Sequence, residues 1–170
     1  SFSHLCVVYS KYYRQNKEGK FSNATACGNE TASERPMFRK FMLESLLYWV
    51  QEYHVDGFRF DLMGVHDIET MNLISRELHK VKPDILLYGE GWTAGTSPLP
   101  DSMRALKANV SRLDRIAVFS DDIRDGIKGS VFEHGDKGFA SGKNGMEESI
   151  KFGITAACPH TQVDYAKVNY

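Results

Sequence analysis

Cysteine is scarce in this chain. The three present, Cys6, Cys27 and Cys158, form no metal-binding spacing and are odd in number, so a disulfide framework and a zinc site are set aside and free buried thiols are expected. An excess of either charge is lacking too. Lysine and arginine number 21 against 22 aspartates and glutamates, a net charge of −1, which gives no support to nucleic-acid or membrane-surface partners. No apolar run approaches the roughly 20 residues of a bilayer span, and no secretory leader opens the chain. The start at Ser1-Phe2-Ser3, without methionine, is that expected of a processed or excised piece. Internal repeats and low-complexity tracts are missing as well. Three Asn-x-Ser/Thr tripeptides, at Asn23, Asn29 and Asn109, carry weight only in a eukaryotic secretory pathway.

What is present is an ordinary soluble composition, 42% hydrophobic and 25% charged over 170 residues, enough for a sizeable core. The compartment stays open between cytoplasm and secretion. Residues 1–30 are polar and tyrosine-rich, with a turn at Lys17-Glu18-Gly19-Lys20, and read mostly as loop. A helix is predicted from about Ser33, with Pro36 in its first turn. Phe38, Phe41, Met42, Leu46, Trp49, Val50 and Tyr53 recur along it at helical spacing as a broad buried stripe. A second helix is predicted over 67–81, with Ile68, Met71, Ile74, Leu78 and Val81 on one face. Pro83 stops it and Ile85-Leu86-Leu87-Tyr88 opens a strand. A Gly, Ser, Thr and Pro loop at 93–100 precedes a short helical piece at 103–109 and a third strand, Ile116-Ala117-Val118-Phe119. Residues 126–145 read as a glycine-rich loop. A last helix carries Met146, Ile150, Ile154 and Ala157 as its apolar stripe, and Lys167-Val168-Asn169-Tyr170 reads as the opening of a fourth strand. Helix–strand alternation of this kind means α/β with a parallel sheet.

Chemistry concentrates at Val55-Asp56-Gly57-Phe58-Arg59-Phe60-Asp61-Leu62-Met63-Gly64 and Leu87-Tyr88-Gly89-Glu90-Gly91-Trp92. Each stretch is a short apolar strand delivering one carboxylate at its C-terminal end, with Glu90 standing 29 positions after Asp61. That is about one strand–helix–strand unit, which makes the two strands parallel and adjacent. Adjacent strands lie roughly 4.8 Å apart, and a retaining glycosidase places its two carboxyl groups about 5–5.5 Å apart. Strand alternation puts Arg59 and Asp61 on one face, with Phe58 and Phe60 on the other. A guanidinium beside Asp61 keeps it ionised, as a nucleophile must be. Tyr88 and Glu90 share a face likewise. Glu90, with apolar and aromatic neighbours such as Trp92, is the candidate for the raised pKa of a general acid. Flanking glycines let backbone and ligand come close.

These two motifs resemble the α-amylase superfamily, and more narrowly the type I pullulanases, which debranch starch and glycogen. Ala26-Cys27-Gly28-Asn29-Glu30, Ala32-Ser33-Glu34-Arg35-Pro36, His66-Asp67-Ile68-Glu69-Thr70-Met71-Asn72 and Ala108-Asn109-Val110-Ser111-Arg112-Leu113 are similar too, so the likeness spans nearly the whole chain. The resemblance implies a retaining hydrolase of α-1,6 branch points in pullulan, starch or glycogen-type α-glucans. The implied fold is a TIM (β/α)₈ barrel, of which residues 1–170 supply roughly the middle half, since a closed barrel takes about 250 residues. Asp61 is implied as nucleophile, Glu90 as acid/base, and Arg59 as the residue orienting Asp61. Trp92 would be a sugar-stacking platform beside the acid. Gly64 and Val65 stand where α-amylases carry a Lys-His pair, which argues for the debranching branch. The family's third catalytic aspartate would follow Tyr170, and an earlier strand motif ending in Asn-His would precede Ser1. The implied partners are an α-glucan and the remainder of the chain's own barrel. No cofactor is required, and nothing in the sequence indicates a structural calcium.

Two other readings stay open: a carbohydrate-binding or inactive remnant that performs no chemistry, and a barrel in which Asp61 and Glu90 hold a divalent cation. For the remaining polar residues the plain reading is preferred. Asp67 caps a helix and Glu69 complements its N-terminus, rather than forming a metal cluster with His66. Asp121, Asp122 and Asp125 make a solvated acidic loop rather than a calcium site. His4, His54, His79, His134 and His160 stand alone, as surface or structural residues. Phe132, His134, Asp136, Phe139 and Asn144, after the third strand, are placed where a barrel cleft forms, equally able to line it or not.

Overall fold

The computed structural model describes residues 4–168, with the side chains of Leu5 and Cys6 outside that description. Residues 1–117 and 118–170 form two compact units.

In the first unit, α1 (His4–Val8) and a 3₁₀ turn (Ser10–Tyr12) lead into antiparallel bridges Tyr13–Thr31 and Gln15–Phe21. Gly19, at φ +76°, closes the turn between them. Helix α2 (Pro36–Tyr53) starts three residues later than predicted. Ser33 is held outside it, its hydroxyl donating to Asp67 at 2.6 Å, and the Arg35 amide closes a turn onto Ala32. Proline then takes the first helical position, where no amide partner is needed. The broad buried stripe is corrected: only Phe38 and Val50 of α2 are buried, while Phe41, Trp49 and Tyr53 are exposed. The aromatic rings there pack on one another instead, Trp49 on Tyr53 with centroids 4.7 Å apart.

Strand β1 (Gly57–Phe60), helix α3 (Ile68–Val81) and strand β2 (Leu86–Gly89) make the predicted crossover unit. A third strand, β3 (Ala117–Val118), is shorter than predicted and completes the order β1-β2-β3. The α/β reading with parallel strands holds. Asp67 caps α3 by accepting from the Thr70 amide at 2.8 Å. Ile68, Met71, Ile74 and Leu78 form its buried face, α3 packs against α2, and Val81 is exposed. Each such side chain contributes about 1.5–3 kcal/mol on burial. The segment predicted as helical at 103–109 is two 3₁₀ pieces, Asp101–Met103 and Lys107–Arg112.

The second unit corrects the sequence reading most. Residues 126–145 do not form one loop: α4 (Asp121–Lys128) runs into them, and a 3₁₀ turn (Phe139–Ser141) follows. The acidic triplet therefore lies on a helix, with Asp121 and Asp122 in its first turn and Asp122 buried. Carboxylates suit that end of the dipole. Gly126 was misleading because glycine costs about 1 kcal/mol in a helix. Here it is a packing residue: a Cβ on Gly126 would lie 3.2 Å from Ile150, and one on Gly153 2.2 Å from Ile123. So α4 and α5 (Glu147–Ile154) meet through their glycines. The α5 stripe is corrected too, since Ile154 is exposed and Phe152 is fully buried. Of the fourth strand predicted from Lys167, Lys167 ends a 3₁₀ turn (Tyr165–Lys167) and Val168 lies in no strand, while Asn169 and Tyr170 lie outside the described residues. Cys27 and Cys158 are free but exposed, not buried. No described helix is long and apolar enough to cross a membrane.

Candidate active site

The parallel register of β1 on β2 pairs Gly57 with Leu86, Phe58 with Leu87, Arg59 with Tyr88 and Phe60 with Gly89. Continued by one residue, it sets Asp61 opposite Glu90, and the Glu90 amide donates to the Phe60 carbonyl at 3.1 Å. Two glycines make so close a pairing possible. A Cβ on Gly57 would sit 2.6 Å from the Leu86 carbonyl oxygen, and one on Gly89 2.7 Å from that of Phe60. Face alternation follows the prediction, with Phe60 buried and Arg59 and Asp61 exposed.

Arg59 joins the two carboxylates. One guanidinium nitrogen bonds Asp61 Oδ1, and the other donates to Glu90 Oε1 at 2.8 Å. The carboxylates therefore stand a single guanidinium apart, in unlike surroundings: the Asp61 side chain is 78% exposed and that of Glu90 18%. The enclosure of Glu90 is polar, where apolar neighbours were expected. Its second oxygen accepts from the Leu62 amide at 2.7 Å.

That amide is aimed by an unusual backbone. Leu62 lies at φ 42°, ψ 47°, a left-handed conformation that costs a residue with a Cβ about 1–2 kcal/mol. The chain turns there out of β1 into a 3₁₀ turn (Met63–Val65). Gly64 then donates to the Glu90 carbonyl at 3.0 Å, and its Cα lies so near the Trp92 backbone that a Cβ would stand 2.5 Å from the Trp92 oxygen. On the other side the Lys107 amide donates to the Gly91 carbonyl at 2.7 Å. The two carboxylate-bearing strand ends are thus fastened together by backbone contacts. Trp92 itself is half-buried.

Among the described residues no group of three His, Cys, Asp or Glu side chains could hold a metal ion. Asp67 is buried among Ser33, Thr70 and Arg39. Burial opposes its charge, but the bonds from Ser33 and Thr70 and the Arg39 cation hold the carboxyl below its ordinary range. Enclosure pushes the His66 imidazole down to about 4, with the Arg14 cation acting the same way. Its Nδ1 is buried without a hydrogen-bond partner among the described residues. His54 is the left-handed cap of α2, and His79 bonds the Ser75 carbonyl one turn back.

Sequence reasoning brought Asp61, Glu90 and Arg59 together, and the structure does the same. It missed the Leu62 amide, which leaves no trace in residue type. It also missed a buried ion cluster in the segment before α2 that bonds the Val65 carbonyl. Arg14 donates to Glu30 at 2.6 Å and forks onto both oxygens of Glu34, and the Arg14 and Glu30 side chains are 4% and 0% exposed.

No family model matches the chain. It is 43% identical over 151 residues to a pullulanase of Bacillus subtilis (strain 168), covering 89% of this chain and 21% of that protein. With the chloroplastic pullulanase 1 of Arabidopsis thaliana it shares 34% identity, over 94% of this chain and 18% of that one. Among solved structures, the Paenibacillus barengoltzii pullulanase in complex with maltohexaose and alpha-cyclodextrin superposes with a TM-score of 0.86 at 44% identity. That match covers 95% of this chain and 25% of the other. The chain therefore spans about a fifth of the length of these curated relatives.

Proposed function

We propose, from the premise that the chain belongs with the pullulanases by homology along most of its length, that it carries the nucleophile and acid of a retaining α-1,6-glucosidase. The single observation that carries the proposal is the β1–β2 register, which leaves Asp61 and Glu90 at adjacent strand ends on the two arms of Arg59. Asp61, exposed and paired with a cation, is suited to attack the anomeric carbon of a bound α-glucan as an ionised carboxylate. Glu90, more enclosed, protonates the departing glycosidic oxygen. The proton it needs returns when it then takes one from the water that hydrolyses the glycosyl ester on Asp61. Arg59 orients Asp61. Trp92, following the acid by two residues, offers an indole face to the sugar on the leaving-group side.

The test uses the natural full-length chain that contains this sequence. Asp61→Asn and Glu90→Gln each lower hydrolysis of pullulan by several orders of magnitude while the circular-dichroism spectrum stays unchanged. More than about a tenth of the activity retained in either variant removes that residue from its role. The homologous segment is about a fifth of its relatives' length, and we place the third catalytic carboxylate outside it. The 170 residues alone are accordingly inactive on pullulan and self-associate or depend on the rest of their chain, since β1 is an edge strand whose outer side has no neighbouring strand among the described residues. A monomer on size exclusion that releases reducing sugar contradicts this.

A further inference from the structure

Arg14 and Glu30 lie in the loop-rich segment before α2, far in sequence from either carboxylate, yet they are among the most buried charged groups of the first unit. Removing two charges from water costs more than an ordinary contact returns, and apolar residues of equal volume commonly do as well or better. What an ion cluster supplies that apolar packing does not is direction. Arg14 Nη1 donates to the Val65 carbonyl at 3.0 Å and to Ser97 Oγ at 3.1 Å as well as to Glu30. Ser97 in turn donates to Glu30 Oε1 at 2.6 Å. Glu30 Oε2 accepts from the Ala24 amide at 2.6 Å, and the Ala24 carbonyl accepts from the Ala94 amide at 2.8 Å. Burial would raise the Glu30 carboxyl, but the bonds from Ser97, Arg14 and the Ala24 amide hold it below its ordinary range, so the cluster stays charged.

Val65 ends the 3₁₀ turn that follows Asp61, and Ala94 and Ser97 belong to the loop that follows Glu90 and Trp92. We propose that the Arg14–Glu30–Glu34 cluster is a positioning device that sets the separation of Asp61 and Glu90 by gripping the chain downstream of each. The two grips share one guanidinium, whose far side is locked by the fork onto Glu34. Displacement of Arg14 therefore removes the hold on Val65 and weakens that on Ser97, which keeps its bond to Glu30. This inference rests on the hydrolase reading above.

The test again uses the natural full-length chain. Arg14→Lys keeps the charge, but an ammonium has no fork and cannot serve Glu34 on one side and Val65 with Ser97 on the other. Ser97→Ala removes the side-chain link to the loop after Glu90 and leaves the ion pairs and the Ala94–Ala24 backbone bond. We expect Arg14→Lys to lose about 100-fold in kcat, the scale of an ångström's misplacement, with KM within twofold and the melting curve little changed. Ser97→Ala loses about tenfold. An Arg14→Met, Glu30→Leu, Glu34→Leu triple variant melts no lower than the parent yet stays impaired in kcat. Wild-type kcat in the folded single variants overturns the proposal, as does a kcat loss that only tracks unfolding. Hydrogen exchange separates this from the reading it rests on. The Leu62 and Gly64 amides exchange at least tenfold faster in Arg14→Lys, whatever substrate the protein cleaves. Unchanged exchange there refutes the positioning role, whereas a parent chain inert on α-1,6 linkages refutes only the function.

Discussion

Replacing Gly64 with alanine tests how tightly the two carboxylate-bearing strand ends are coupled. Gly64 is not in the left-handed region, so the added methyl meets no backbone penalty, and its whole effect is steric. The methyl carbon would lie 2.5 Å from the Trp92 carbonyl oxygen, 2.7 Å from its carbonyl carbon and 2.9 Å from Leu106 Cδ2. Leu106 can rotate away, but the Trp92 peptide is backbone and can only retreat. Restoring an ordinary contact of 3.4 Å needs a parting of about 0.9 Å. Overpacking of this kind costs about 1–3 kcal/mol, or roughly 2–10 °C in melting temperature for a domain of this size. Activity falls further, because a shift of about 1 Å between reacting groups is worth about 10²-fold. Gly135→Ala is the control, with nothing within 4 Å of the added methyl. Pullulan hydrolysis and thermal melts of both variants, made in the full-length chain, provide the comparison. A Gly64→Ala enzyme within threefold of wild-type kcat would refute the claim that this backbone contact spaces the carboxylates.

Three further outcomes are expected. The His66 imidazole titrates near 4 when folded and near 6.5 when unfolded. Between these values the unfolded chain binds a proton that the folded one does not, so stability is complete above about pH 6.5 and declines as pH falls toward 4. The loss is about 2 kcal/mol from pH 7 to 5, and urea midpoints should show His66→Asn to be flatter over that window; an equal slope contradicts it. Asp67→Ala strips α3 of its cap, leaves Ser33 without its acceptor and reduces the partners of Arg39 to Thr70 and Glu69, lowering stability by about 2 kcal/mol, while Asp67→Asn loses about half as much in the same melt. Chelation with EDTA leaves pullulan hydrolysis unchanged, because Arg59 already supplies the cation between Asp61 and Glu90; loss of activity restored by a divalent ion would favour the metal reading.

The crossover unit was legible because its signals are local and redundant. The β1 alternation, the cap at Asp67, the α3 stripe and the stop at Pro83 all point to one arrangement, and the register then follows from the fold. The approach of Asp61, Arg59 and Glu90 was readable for the same reason. Elsewhere packing overrode local preference. Gly126 looks like a loop residue until α4 needs it for close approach to α5. The aromatics of α2 look like core residues, but Trp49 and Tyr53 cover each other at the surface. The Leu62 conformation and the Arg14 cluster depend on contacts 16 to 83 positions away in sequence, which no short window along the chain can register.

The central claim, that Asp61 and Glu90 are the facing nucleophile and acid of one site, is tested most directly by the stereochemistry of the bond they break. Proton NMR of the full-length enzyme acting on pullulan in its first minutes reads the anomer released before mutarotation. Carboxyl groups one guanidinium apart leave no room for a water between nucleophile and sugar, so cleavage proceeds through a covalent ester on Asp61 and the first product is the α-anomer. Initial appearance of the β-anomer would mean inversion, with the carboxylates acting across a water, and would contradict the account.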